Sequence, residues 1–412
     1  MVSDTAQRPG AVGTAYRRPL LTVFLGWLWL MAGANLAAPL YAVYAGEFGF
    51  SGIVLTTVFA TYALTLVATL LVGGRLADRF GRRPVILTGL VVAAVALVVF
   101  TAATATWWLY TARALQGIAV GLISGPATAA LVEIDPQRER ARPALLAGLA
   151  QAVGSGVGPL LSGGLAEWAP APLRTSYLVG LAGTALAGAF VWALPESHRG
   201  DEPWRMQWPR VPHAIRRDFI RLGLTAGLAW ASLALYLSVV PSYVAGLLST
   251  GNLALLGANS ALACFASAGT QIWTQRRGGH ERGQDRRRWQ AVGLGLLAAG
   301  LVLMVVSSLT QSLVTVLLGA VVTGVGHGLG YLHAQDELNA VAPAERRAEV
   351  SAAFVCCIYV LVGGAVVAVG VLEEVRTLTG AVGIVGGLLT IGAVLVAGWQ
   401  ARPWWAQRDS NP

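Results

Sequence analysis

Charged side chains are scarce in this sequence: of its 412 residues, only 12% are Asp, Glu, Lys or Arg. A soluble domain typically has about 25%. Lysine is absent, and arginine supplies all 29 basic residues. So little charge leaves too few polar groups to face water on every side, which excludes an ordinary soluble protein. With 55% hydrophobic residues and 50 glycines, the composition instead predicts a membrane protein with closely packed helices.

Catalytic motifs and cysteine are scarce as well. The sequence has no nucleophile elbow, phosphate-binding loop or cluster of metal ligands, so we expect no enzyme activity, no cofactor and no metal. The glycines at 154, 156 and 158 lie inside an apolar run that no strand precedes, which excludes a nucleotide-binding fold. The three cysteines lie in apolar runs and are expected to be small buried residues without disulfides. They are Cys264, Cys356 and Cys357.

Long apolar runs are abundant. A helix needs about 20 apolar residues to cross the hydrocarbon core of a bilayer. The runs are continuous rather than alternating, which indicates helices and not the strands of a barrel. We predict twelve transmembrane helices, at 20–45, 52–73, 84–103, 106–132, 143–166, 174–194, 219–245, 252–274, 290–308, 312–341, 350–371 and 377–399.

The arginines fall on one side of this arrangement. With the N-terminus inside, all of them except Arg113, Arg174 and Arg376 lie in the tails and loops of the cytoplasmic side. This distribution follows the positive-inside rule and predicts a multi-pass protein of the plasma (inner) membrane with both termini cytoplasmic. The net charge of +9 therefore reflects topology, and we expect no binding of nucleic acid.

The sequence contains an internal repeat with an offset of 207 residues (324 minus 117, for example). It predicts two parallel six-helix bundles related by a pseudo-two-fold axis along the membrane normal, with a cavity between them. We predict an N-terminal bundle at 1–194, a cytoplasmic linker at 195–218 and a C-terminal bundle at 219–412. The matching positions are Gly117 and Gly324, Gly121 and Gly328, Pro136 and Pro343, and Asp78–Arg79 and Asp285–Arg286.

The loop after the second span, 74–84, reads GRLADRFGRRP. It resembles the loop signature of the major facilitator superfamily (MFS), a superfamily of membrane transporters. The resemblance implies that Asp78 joins the two halves through the start of the eleventh span, near 349–351, in one state of the transport cycle. The alternative is a solvated turn with no gating role. The candidate gating residues are Gly74, Asp78, Arg79, Gly81, Arg82 and Arg83.

Two further elements resemble the same superfamily. Arg113 and Gly117 match an element that the family uses in proton coupling, although Arg113 could instead extend toward the outer interface. An element in the fifth span resembles one typical of drug and metabolite exporters, with Ser162 in place of its first paired glycine. Its small residues also suit ordinary helix packing. Its residues are Gly154, Gly158, Pro159 and Gly163.

Polar residues at mid-membrane depth are candidates for the substrate cavity and for proton coupling. Each polar residue could instead bond a neighbouring helix, and Asp336 and Glu337 could pair with Arg346 or Arg347 at a solvated helix end. Histidine titrates near neutral pH and suits a proton carrier. The cavity candidates are Asn35, Tyr41, Gln151, Tyr236, Asn259 and His327, and the proton-coupling candidates are Arg113, His327, Asp336, Glu337 and Glu133.

These features favour a secondary transporter that exports small organic molecules in exchange for protons. The alternative is proton-coupled uptake of a sugar, amino acid or organic acid. A receptor is disfavoured because the longest predicted loop, at 195–218, is too short for a signalling domain. The first span has no carboxylate before Glu47, which favours neutral, zwitterionic or anionic substrates. The expected partners are the substrate, protons and the lipid bilayer, and the resemblance implies a working monomer.

Overall fold

The computed structural model describes residues 17–73, 76–134, 141–195, 210–277 and 283–401. Within those ranges the chain is helical and contains no β-strand. The helices are α1 (Arg17–Asn35), α2 (Tyr41–Phe48), α3 (Gly52–Gly73), α4 (Leu76–Phe80), α5 (Arg82–Thr101), α6 (Thr106–Ile134), α7 (Ala141–Trp168), α8 (Pro172–Trp192), α9 (Arg216–Ser238), α10 (Val240–Leu247), α11 (Leu253–Arg276), α12 (Gly283–Thr310), α13 (Leu313–Val341), α14 (Arg347–Glu373) and α15 (Leu378–Ala401).

Among the described residues, eleven helices are long and apolar enough to cross a membrane. The first predicted span, 20–45, is instead divided into α1 and α2 by a turn, so the prediction of one continuous helix is wrong there. Pro39 explains the division, because proline has no N–H to donate to the preceding helical turn. The N–H of Ala38 then bonds the carbonyl of Asn35, at 3.2 Å, rather than that of Ala34.

The seventh predicted span, 219–245, is interrupted at the corresponding place. The helix α9 ends at Ser238, and α10 continues from Val240 with Pro241 in its first turn. Proline is tolerated there because the first N–H groups of a helix have no partner in the helix. Both repeats therefore bend their first span near its outer end, which is the end predicted to face away from the cytoplasm.

The helices pack in two groups, the N-terminal bundle (α1–α8) and the C-terminal bundle (α9–α15). In the first, α6 packs along α3 and α5, and α7 packs along α1. In the second, α13 packs along α11 and α12, and α14 packs along α9. The two bundles meet where α7 packs along α11 and where α3 packs along α14. The pairs correspond between the repeats, as the pseudo-two-fold symmetry requires.

The glycines of the repeat lie at close helix contacts. A Cβ atom on Gly121 would lie 2.7 Å from the Cβ of Thr69, and one on Gly328 would lie 2.9 Å from the Cβ of Thr270. Each contact joins α6 or α13 to the second long helix of its bundle. The helices α6 and α13 both have 29 residues and begin 207 positions apart (313 minus 106). The repeat thus preserves two positions where helices approach each other closely.

Large apolar side chains cover the outside of the bundles. Examples that are 58–72% exposed are Leu64, Val91, Leu186, Val360 and Leu395. A soluble monomer rarely exposes a continuous apolar surface of this kind. Hydrocarbon chains of the bilayer are the environment that this surface fits.

The close contact between α7 and α1 yields a prediction about stability. A Cβ on Gly154 would lie 2.6 Å from the Cβ of Met31, so we expect Gly154→Val to destabilise the N-terminal bundle by about 1–3 kcal/mol. Thermal unfolding of the purified protein in detergent measures the effect. Gly188→Val is the matched control, because no atom lies within 4 Å of a Cβ built there. Equal melting temperatures for the two variants would contradict the prediction.

Candidate functional site

A cavity of about 80 Å³ lies between the two bundles. The helices α1, α3 and α7 form one side, and α9, α13 and α14 form the other. Its polar wall consists of Asn35, Gln151 and Ser155. The side-chain amide of Asn35 donates hydrogen bonds to the carbonyl of Met31, at 2.9 Å, and to Ser155 Oγ, at 3.3 Å.

The aromatic part of the wall was not predicted from the sequence. Phe59 and Tyr62 on α3 lie three positions apart and therefore share a helix face. Tyr62 and Tyr359 meet across the two bundles, with ring centroids 6.2 Å apart. The remaining aromatic lining residues are Trp230 and Tyr331. The shared face of Phe59 and Tyr62 is the one signal in the sequence that could have indicated this wall.

Two of the predicted cavity residues, Asn35 and Gln151, line this cavity. The other four lie in the packed interior beside it. Tyr41 and Tyr236 are buried in apolar clusters of the two bundles, and Asn259 is fully buried. His327 is also buried, behind Trp230. A substrate contact for any of the six residues stays a prediction.

Arg113 is buried and extends toward α1, so its extension to the outer interface is excluded. Its Nη1 donates to the carbonyl of Ala34, at 2.8 Å, and to Gln116 Oε1, at 2.9 Å. Gln116 in turn donates to the carbonyl of Gly33, at 3.0 Å. Because α1 stops at Asn35, these carbonyls lack the partners that a continuing helix would supply. The Arg113–Gln116 pair therefore satisfies the broken end of α1.

The guanidinium of Arg113 also lies against the wall of the cavity. Its central carbon is 4.9 Å from the ring centre of Phe59 and 4.8 Å from that of Tyr62. Cation–π contacts contribute about 0.5–2 kcal/mol each, with the larger values at desolvated sites. The positive charge of Arg113 is thus held directly behind two aromatic residues that line the cavity.

His327 belongs to a hydrogen-bonded chain that reaches the boundary between the bundles. Its Nδ1 and Ser267 Oγ are 2.7 Å apart, and Gln271 Nε2 donates to Ser267 Oγ at 3.2 Å. Gln271 lies beside α7, because its Oε1 would be 2.5 Å from a Cβ on Gly148. Within the described residues, His327 Nε2 is buried and has no hydrogen-bond partner.

The predicted gating loop is only partly within the described residues. Gly74 and the side chain of Asp78 lie outside them, so the latch to the eleventh span stays a prediction. Gly81 has φ +94°, a conformation that glycine adopts readily, and it precedes α5. Arg79 is exposed and stacks on its neighbour Phe80, at 5.4 Å. The loop therefore turns at Gly81 to begin α5.

Two further arginines of the loop, Arg82 and Arg83, contact their own bundle. Arg82 donates to Glu133 Oε1 from Nε, at 3.3 Å, and from Nη2, at 3.2 Å. Arg83 stacks on Trp192, at 5.1 Å. Glu133, a proton-coupling candidate, thus forms an ion pair with Arg82 of the gating loop. Its side chain is 46% exposed, which places it at the end of the bundle rather than in the cavity.

Glu337 forms a buried ion pair with Arg221, which the sequence did not suggest as a partner. The alternative in which Glu337 pairs with Arg346 or Arg347 at a solvated helix end is therefore wrong. Helical periodicity places Glu337 on the buried face of α13, whereas the neighbouring Asp336 is half-buried. A role of either acid in proton coupling stays a prediction.

The pair is part of a larger polar network inside the C-terminal bundle. Gln290 Nε2 donates to Glu337 Oε2, at 2.6 Å, and Gln400 Nε2 donates to Gln290 Oε1, at 2.6 Å. Arg221 also contacts Asp218, at 3.2 Å. The network joins α9, α12, α13 and α15, so it ties four helices of one bundle together near their predicted cytoplasmic ends.

The exporter-like element of α7 packs against both bundles. Gly154 and Gly158, four positions apart, approach the backbone of α1. Gly163 lies on another face, where a Cβ would be 3.1 Å from the Cα of Gly257 on α11. Pro159 lies inside α7 and closely approaches Gly257 through its carbonyl. The small residues therefore form both an internal contact and part of the boundary between the bundles.

The buried ion pair yields a second prediction about stability. Glu337→Leu removes the buried carboxylate of the pair and leaves Arg221 only the part-exposed Asp218, so we expect it to destabilise the protein by about 3–5 kcal/mol. The double variant Arg221→Met/Glu337→Leu removes both charges and should recover part of that loss. Thermal unfolding of the two variants measures the difference. Asp218→Leu, at a 39% exposed site, is the control. A double variant less stable than Glu337→Leu would contradict the prediction.

Comparisons with known proteins agree with this architecture. Residues 23–368 match the family model described as Major Facilitator Superfamily. An uncharacterised MFS-type transporter of Mycobacterium tuberculosis, Rv1250, is 28% identical over 212 residues, which cover 50% of this chain and 35% of that protein. The multidrug resistance protein MdtH of Yersinia pestis is 27% identical over 142 residues, covering 34% and 35%. The matched part spans about a third of each relative's length.

Two solved structures share the fold over nearly their whole length. A bacterial homolog of the human lysosomal transporter Spinster, in an inward-facing and unoccupied conformation, has a TM-score of 0.70 at 16% identity and covers 94% of this chain and 96% of that one. A POT family transporter in complex with 5-aminolevulinic acid has a TM-score of 0.74 at 12% identity and covers 97% and 98%. The predicted all-α fold of two six-helix bundles is confirmed, and because the family model matches most of its length, this chain belongs to the Major Facilitator Superfamily.

Proposed function

We propose that this protein is a secondary transporter of small organic molecules that works by alternating access. The observation that carries the proposal is the cavity between the two bundles, which both bundles line with aromatic residues and the N-terminal bundle lines with polar ones. A site at such a boundary is exposed to one side of the membrane or the other as one bundle rocks against its partner.

The contacts between the bundles at their outer ends support this mechanism. Glu167, at the end of α7, accepts a hydrogen bond from the backbone N–H of Leu253, at 2.8 Å, where α11 begins. A carboxylate at a helix N-terminus is stabilised by the helix dipole. At nearly the corresponding position of the other repeat, the carboxylate of Glu373, at the end of α14, lies directly against Gly52 at the start of α3. Each bundle thus holds a helix start of the other.

Proton coupling is proposed to use His327, with Arg113 as the fixed charge near the cavity. Neutral imidazole has one donor and one acceptor nitrogen, whereas protonated imidazole has two donors. Protonation of His327 therefore alters its hydrogen bond to Ser267 and, through Gln271, the contact with α7. The hydrogen-bonded series of His327, Ser267 and Gln271 is a short path from a titrating group to the boundary between the bundles.

Export is the proposed direction, and the molecule is proposed to work as a monomer in the inner membrane with cytoplasmic termini. The exporter-like glycines of α7 and the likeness to a protein named for multidrug resistance support export. Proton-coupled uptake of a nutrient is the second candidate. The buried, ordered histidine fits a proton-driven cycle in either direction.

Growth inhibition in an efflux-deficient bacterium tests export and coupling together. We expect cells that express the protein to resist at least one compound of a broad panel. His327→Gln keeps a polar side chain beside Ser267 but cannot carry a proton at neutral pH, so most of that resistance should be lost.

The control for this experiment is His213→Gln, because His213 is exposed and lies before α9. All forms are compared at equal abundance in the membrane. Equal resistance with wild type and His327→Gln would remove this histidine from the mechanism. Resistance to no compound would favour uptake over export.

The outer contacts yield a prediction about the conformational equilibrium. Replacing both Glu167 and Glu373 with glutamine removes two charged acceptors from helix starts, and we expect the population open at the outer end to rise roughly fivefold, or by about 1 kcal/mol. Electron spin resonance distances between labels at the exposed positions 104 and 310, one in each bundle, measure it in a background without cysteine.

The matched control is Glu374→Gln, which removes an exposed carboxylate next to Glu373. It should leave the distance distribution between the labels unchanged. An unchanged distribution in the double glutamine variant would show that the two carboxylates do not hold the outer end closed.

A further inference from the structure

The wall of the cavity has aromatic rings on both sides. Phe59 and Tyr62 belong to the N-terminal bundle, and Trp230, Tyr331 and Tyr359 belong to the C-terminal bundle. The rings of Trp230 and Tyr331 meet edge to face, with centroids 5.4 Å apart. Aromatic groups pack best against other rings in offset or edge-to-face arrangements. A planar aromatic molecule held between the bundles would therefore meet rings on each side.

The wall itself carries no charge. All of its lining residues lie within the described part of the chain, and none is Asp, Glu, Arg or His. The nearest fixed charge in contact with the wall is Arg113, which stacks on Phe59 and Tyr62. The hydrogen-bond acceptors of Arg113 are the neutral carbonyl of Ala34 and the amide of Gln116. Among the described residues, no carboxylate forms an ion pair with Arg113.

This arrangement favours the binding of anions over the binding of cations. Aromatic cavities often bind cations through the negative faces of their rings. Here the guanidinium of Arg113 already occupies a face of both Phe59 and Tyr62, and its charge repels a second cation across a medium of low dielectric constant. An anion is attracted by the same charge, and no acidic group of the wall opposes it.

The wall also supplies a donor for an anionic group. Gln151 is half-buried, lines the cavity and has no hydrogen-bond partner among the described residues. Its amide N–H groups are therefore available to a ligand. The amide of Asn35, by contrast, is already bonded to Met31 and Ser155.

We propose that the cavity selects planar aromatic molecules with a single negative charge, such as aromatic carboxylates, and that Arg113 and Gln151 determine this selectivity. The proposal rests on the proposed function, because it takes this cavity to be the substrate site. It goes further in naming the substrate class and in excluding aromatic cations.

Three ligands with one ring system test the proposal: 2-naphthoate, 2-naphthamide and 2-naphthylmethylammonium, with charges of −1, 0 and +1 at neutral pH. Calorimetric titration of the purified protein in nanodiscs of uncharged lipid measures their affinities without any gradient. We expect the carboxylate to bind most tightly and the ammonium compound at least about tenfold more weakly. Tightest binding of the ammonium compound, equal binding of all three, or binding of none would overturn the proposal.

Arg113→Gln removes the positive charge but also changes the end of α1, so this variant can fail to fold. Gln151→Glu avoids that difficulty, since it places a carboxylate in the wall without changing α1. It should weaken naphthoate binding and strengthen binding of the ammonium compound, whereas Gln151→Met, without a charge, should weaken naphthoate alone. An unchanged ratio of the naphthoate and ammonium affinities in Gln151→Glu would contradict the assigned role.

Failure of the proposed selectivity can be distinguished from failure of the proposed function. A protein that binds naphthoate selectively but neither confers resistance nor moves ligand across a membrane would contradict transport and leave the selectivity intact. A protein that transports but binds the cation most tightly would contradict the selectivity alone.

Discussion

Backbone polar groups inside a bilayer must find partners within the protein, and the broken end of α1 shows how far this requirement reaches. Once Pro39 stops the helix, the carbonyls of Gly33 and Ala34 require donors. Gln116 and Arg113 supply them from α6. A charge is thereby fixed in the packed interior of the protein, against the rings of Phe59 and Tyr62. The positive charge beside the cavity thus belongs to a residue that also bonds the end of one interrupted helix.

Close packing determines which parts move together. The glycines at 121 and 328 bring helices of the same bundle into backbone contact, so each bundle resists internal deformation. At the boundary, α7 meets α11 through Gly163 and Gly257, and these glycines also let the two backbones approach closely. Surfaces of small residues allow one helix to tilt against another with little repacking. The small residues at the boundary are therefore consistent with the proposed rocking of one bundle against the other.

The sequence predicted the spans and the repeat well, because continuous apolar runs and spaced glycines depend on local chain properties. It predicted the cavity less well, because a cavity depends on which helix faces meet. Asn35 and Gln151 were identified by their polarity and depth, whereas Trp230 and Tyr359 look like ordinary apolar residues of a membrane helix. The partner of Glu337 was also missed, since Arg221 lies 116 positions away on another helix and appeared to belong to a basic loop.

The two kinds of carboxylate contact differ in strength in the way that the proposed alternating access requires. The pair of Glu337 and Arg221 is buried, and breaking it costs about 3–5 kcal/mol, so it suits a contact that persists within one bundle. The contact of Glu167 with the start of α11 is exposed, and such contacts contribute about 0.3–1 kcal/mol. A contact between bundles must be this weak, because a stronger one would hold the protein in a single state. Strong polar contacts inside a bundle and weak ones between bundles are what the proposed rocking requires.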